Sequence, residues 1–139
     1  MKSLIRIEHS NGIGLFNHDR GVYLNDDFHA LIERYHDFPQ PYLDLNPDTD
    51  EHIDMDLNGK EWFCAFKSIV FMTKWITDNE ILRLLDRGFK IYYLEVEEYQ
   101  VASHQTAYTK ESIRVQIDIT EEIKRNAKRK INHETSNKT

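Results

Sequence analysis

From Ile113 to Ile119 apolar and polar residues alternate without a break, with Ile113, Val115, Ile117 and Ile119 set against Arg114, Gln116 and Asp118. A period of two belongs to a strand with one face buried and the other wet, because successive side chains point to opposite faces of a sheet. Ser3 to His9 has the same character, with Ile5 and Ile7 on one side and Arg6 and Glu8 on the other. Glu61 to Phe66, Phe89 to Val96 and Val101 to Tyr108 are rich in aromatic and β-branched residues and add three more strand candidates. Asn11-Gly12-Ile13-Gly14 breaks the first run. The short apolar piece Leu15-Phe16 then leads to a second turn at Asp19-Arg20-Gly21, so the first two segments are expected to form a hairpin.

Helical spacing appears between these runs. Asn25, Asp26 and Asp27 offer N-cap side chains, and Phe28, Leu31, Ile32 and Tyr35 follow on one face, predicting a helix to about His36. Ser68 is placed to cap a helix that turns Ile69, Met72, Trp75 and Ile76 inward. Thr77 and Glu80 have capping-box spacing, Ile81, Leu84 and Leu85 follow, and Gly88 is the expected stop. The fold class is therefore α+β, with a mixed or antiparallel sheet of about five or six strands and two to four helices. A length of 139 residues suits one such domain over 1–120. Glu121 to Ile131 predicts a frayed basic helix, and Asn132 to Thr139 a flexible tail.

Between Asp37 and Gly59 lie all three prolines of the chain and seven acidic residues, with almost no periodic pattern. This predicts an acidic surface loop inserted in the domain. It is either a solvated loop or a surface that imitates nucleic-acid phosphates for a basic partner. On the second reading Asp48, Asp50, Glu51, Asp54 and Asp56 steer the encounter, and exposed aromatics such as Tyr42, Trp62, Tyr92 and Tyr99 anchor it. The loop lacks the ligand order of a calcium cage. His29, Glu33 and His36 share a helical face, but no second ligand set accompanies them, so no metal is expected.

The lone Cys64 excludes an internal disulfide and, between Phe63 and Phe66, reads as a small buried hydrophobe. No apolar stretch approaches the roughly 18–20 residues that cross a bilayer, so no membrane role and a cytoplasmic location are expected. A net charge of −6 argues against indiscriminate duplex binding. Lys124, Arg125, Lys128, Arg129 and Lys130 nonetheless concentrate five positive charges in seven residues, which suits nucleic acid, an acidic protein or simply a solvated helix end. No Walker loop or nucleophile elbow is present, and the balance leans away from an enzyme and its cofactors.

Two resemblances add to this reading. Ile5-Arg6-Ile7-Glu8-His9, Gly12-x-Gly14-x-Phe16, Phe63-Cys64-Ala65-Phe66-Lys67-Ser68, Trp75 and Gly88-Phe89-Lys90-Ile91, in that order, are similar to a group of small phage and prophage proteins. The similarity runs from about Leu4 to Ser112 and leaves out the acidic loop and the basic tail. It implies a protein that blocks bacterial defence machinery, including CRISPR nucleases, by occlusion or mimicry. The order of an arginine on the first strand, an aromatic-x-Ser at a central strand end and a polar residue on a late strand resembles ADP-ribosyltransferases, with Arg6, Ser68 and Gln105 at the matching positions. That resemblance implies NAD binding, Arg6 holding the cofactor phosphates and Ser68 orienting a ribose. Neutral Gln105 stands where the family has its catalytic acid, which implies an inactive or altered site.

Overall fold

The computed structural model describes residues 1–9, 16–17, 23–24, 45–46, 51–54, 56–103 and 105–137. The strands are β1 (Lys2–His9), β2 (Phe16–Asn17), β3 (Tyr23–Leu24), β4 (Leu45–Asn46), β5 (Glu51–His52), β6 (Phe63–Phe66), β7 (Phe89–Val96), β8 (Tyr99–Val101), β9 (Gln105–Tyr108) and β10 (Ile113–Asp118). Three helices join them among the described residues: α1 (Ile69–Trp75), α2 (Asp78–Asp86) and α3 (Thr120–Asn137). Six strands form one sheet in the order β10-β7-β1-β6-β9-β8, and every pairing in it is antiparallel. The α+β expectation with an antiparallel sheet holds.

The first strand does not pair with Phe16. Its full length lies against β7, from Lys2 opposite Val96 to His9 opposite Phe89, while Phe16 pairs with Leu24. Eight consecutive cross-strand partners outweigh what a two-residue neighbour could offer, so the long-range pair wins over the local hairpin. The predicted strand over Val101–Tyr108 is instead a hairpin. Tyr99–Val101 and Gln105–Tyr108 pair with each other, and the Ala102 N–H donates to the Gln105 carbonyl at 3.0 Å.

Helix boundaries follow their caps. Ser68 Oγ accepts from the Phe71 N–H at 3.2 Å. Thr77 and Glu80 close a reciprocal capping box at 3.2 and 2.9 Å. Gly88, at φ +92°, ends the turn after α2 in the left-handed region, where a side chain would be strained.

The helices cover one face of the sheet. Ile5, Ile7, Cys64, Phe66, Phe89, Ile91 and Ala107 point to that side and pack with Met72, Ile76, Ile81 and Leu84 of the α1–α2 region and Ile123 and Ala127 of α3. Each fully buried aliphatic side chain there contributes about 2 kcal/mol. Ile69 departs from expectation: it is 41% exposed, while Met72 and Ile76 are buried and Trp75 packs half-buried against the same cluster. The last helix is longer than its sequence suggests. It continues through Asn137 and sends Ile123 and Ala127, one turn apart, into the core, so 132–137 are helical where a tail is predicted. The predicted helix ending near His36, the turn 11–14 and the trio His29, Glu33 and His36 lie outside the described residues.

Candidate functional site

Antiparallel register decides which side chains meet. Ile5 lies opposite Phe66, and Phe66 opposite Gln105, so Gln105 shares the helix-covered face. Arg6, one residue on, points to the other face, beside Ala65 and in line with Thr106. Ser68 stands at the end of the loop after β6 with its hydroxyl engaged as the cap of α1. The three positions matched to ADP-ribosyltransferases thus do not converge: Arg6 and Gln105 are separated by the thickness of the sheet.

Arg6 is only 2% exposed, which its position in an alternating strand does not foretell. Its Nε donates to Glu8 Oε2 at 3.2 Å and its Nη1 to the Cys64 carbonyl at 2.7 Å. The second bond draws the guanidinium across β6, where its central carbon lies 5.5 Å from the Phe63 ring centre and 6.0 Å from that of Tyr108. Lys110 Nζ lies 4.5 Å from the same Phe63 ring. Nη2 of Arg6 and Oγ1 of Thr106 are buried with no hydrogen-bond partner among the described residues. Burial pushes the Tyr108 hydroxyl up to about 12, and Arg6 opposes part of that shift. Tyr92, across from Arg6 on β7, is also raised, by burial first and then by the charges of Asp118 and Glu8. The result is a buried Arg6–Glu8 pair walled by aromatic rings on a sheet face, with exposed Lys110 at its rim.

The opposite face carries a different feature near the start of β1. Phe66, Ile5, Tyr93 and Ile117 form one cross-strand row from β6 to the edge strand β10. A shallow groove lined by Ser3, Ile5, Lys67, Ile69, Val70 and Tyr93 opens over it. Ile69, Val70 and Ile117 are 41%, 65% and 51% exposed. The helical position of Ile69 and the alternating position of Ile117 predict burial, whereas Val70 lies off the predicted inward stripe.

The expected acidic surface is only partly in view. Asp48, Asp50 and Tyr42 lie outside the described residues, and of Glu51 only the backbone pairing with Asn46 is described. Asp56 is exposed, and its N–H donates to Asp54 Oδ1 at 3.0 Å. The Asp54 backbone is held to β8 by the Gln100 amide through two 2.8 Å bonds. Trp62 is not an exposed anchor. It is 3% exposed, packs in the core and donates its indole N–H to the Leu57 carbonyl at 3.0 Å. Tyr99 is exposed at 43% and Tyr92 half-buried. Arg125, Lys128, Arg129 and Lys130 are exposed on α3 and Lys124 is half-buried. No described helix is long and apolar enough to cross a membrane.

No curated protein and no solved structure matches the chain. A family model does, and it runs through the acidic segment that the motif resemblance left out, stopping just inside α3. The chain belongs to the bacteriophage T4 Y00F protein family, whose model matches residues 1–121.

Proposed function

We propose that this phage-family protein inhibits a bacterial defence protein by stoichiometric binding in the host cytoplasm, through occlusion or mimicry of nucleic acid. The observation that carries the reading is the apolar surface of Ile69, Val70 and Ile117 around the Tyr93 groove. Exposed apolar patches rimmed by polar groups mark surfaces that a partner covers, because leaving them in water costs free energy that binding recovers. Lys67 borders the groove, and the acidic segment, with Asp54 and Asp56 at its described end, supplies charge for steering. Family membership supports the host as the source of the partner. With Trp62 buried, the apolar groove replaces it as the anchor.

The test is capture of partners from host lysate with the full chain and with Val70→Asp. The wild type is expected to retain a defence protein and the variant to lose it, with association slowing as salt is added. Transfer or cleavage of labelled NAD that Arg6→Ala abolishes would overturn the reading in favour of the transferase alternative.

A further inference from the structure

The last helix carries positive charge that the fold itself does not use. In the sequence the basic cluster reads as a helix end, where cations suit the dipole. In the structure α3 runs on to Asn137, so Lys124, Arg125, Lys128, Arg129 and Lys130 occupy its middle turns, and its last turn has no basic residue. None of the five forms an ion pair among the described residues, and the bond from Arg129 to the Asn126 side-chain oxygen leaves the arginine's charge in place. At about 100° per residue, Arg125 and Arg129 fall opposite the buried Ile123 and Ala127, with Lys128 and half-buried Lys124 on the flank beside them. Lys130 falls on the core side, where with Ile131 it lines the cleft against the start of α2. We propose that Lys124, Arg125, Lys128 and Arg129 form a stripe that binds the phosphate backbone of double-stranded nucleic acid.

From Lys124 to Arg129 the stripe covers about 7.5 Å of helix axis, a length in which a duplex presents roughly four phosphates. Two of its cations are arginines one turn apart, whose forks match phosphate oxygens. With Glu122 and Asn126 they line a recess of about 410 Å³ on the surface of α3. Glu121 and Glu122 close the stripe at its N-terminal end. No apolar residue lies among these side chains, so the face lacks the desolvated centre on which a protein partner depends. The absence of aromatic rings among them likewise disfavours single strands, which are held by base stacking. The rest of the chain sets the direction of approach: residues 1–121 hold 22 acidic against 12 basic side chains, and residues 122–139 hold six basic against two acidic. A polyanion is repelled by the body and met by α3. The stripe shares no residue with the Tyr93 groove and does not rest on the host-partner reading. It also lies beyond residue 121, where the match to the family model ends.

Fluorescence anisotropy of a labelled DNA duplex titrated with the full chain tests it. Affinity is expected to fall roughly 100-fold between about 50 and about 200 mM salt, as the release of counterions from four phosphates requires. Lys128→Ala and Arg129→Ala place a good helix former at exposed positions and are expected to unfold at the wild-type midpoint. Each is expected to bind about fivefold more weakly and to lower the salt slope by about one. Lys130→Ala removes the same charge from the other side of the helix and is expected to change affinity by less than about twofold. Val70→Asp, in the apolar groove, is expected to leave DNA binding unchanged, so this reading and the host-partner reading fail separately. The proposal is overturned if the duplex does not bind at the lower salt, if Lys130→Ala costs as much as Lys128→Ala, or if a single strand of equal length binds more tightly. Equal binding of polyglutamate at matched charge would also overturn it, making the stripe a site for an acidic protein.

Discussion

The strands β1 and β10 carry similar alternation and meet opposite fates. β1 lies between β7 and β6 and is buried on both faces from Leu4 to Ile7, its arginine included. β10 pairs only with β7, at the sheet edge, and leaves Ile117 half in water. Its register also slips between Ile113 and Val115, so Ile113 falls opposite Val96 and joins the cluster on the far face, while Val115 lies opposite Glu95. One extra residue thereby divides a stripe that is continuous in sequence. Alternation specifies a strand and its two sides. It does not say how many neighbours the strand has or what lies against each side.

The sharpest way to break this comparison is to truncate the same residue type in both places. Ile7→Ala in β1 opens a cavity against a packed face and is expected to cost about 3 kcal/mol in denaturant unfolding. Ile117→Ala in β10 is expected to change stability by less than about 0.5 kcal/mol, and comparable losses at the two positions would contradict the central and edge assignments. Between these lie two intermediate effects.

Tyr108, on the doubly buried part of the sheet, ionises more readily when unfolded, near its ordinary value of 10, than when folded, near 12. Its contribution is therefore complete below pH 10 and is lost as pH rises towards 12. This amounts to between about 2 and 3 kcal/mol, and Tyr108→Phe should remove that part of the alkaline slope. A profile flat in that window for the wild type would place Tyr108 in water. Thr77→Ala removes half of the capping box on the helix that covers the buried face and is expected to cost about 1 kcal/mol, read as a lower unfolding midpoint.

Local chemistry was legible wherever it is settled within a few residues. Ser68, Thr77 with Glu80, and Gly88 each act as their spacing indicates, because a cap bonds to backbone three residues away and a left-handed residue ends its own helix. Cys64 is buried as its apolar neighbours imply. Trp62 misled because an aromatic beside an acidic segment looks like an anchor, whereas the Leu57 carbonyl lies within reach of its indole and satisfies it inside. Thr106 was missed altogether. Its only signal was the alternation of β9, and that gains meaning once Arg6 is known to lie two strands away on the same face.

By itself the sequence determined the α+β class, most strand and helix segments, and the caps between them, since these depend on periodicity and on bonds to near neighbours. Tertiary structure alone decided that β1 became central and β10 an edge, that Arg6 was buried while Ile117 was not, and that the α3 helix joined the core. Those outcomes rest on contacts between residues far apart in the chain, such as Ile5 with Tyr93 and Phe66. Their register follows from the summed packing of whole strands, a quantity no local window contains.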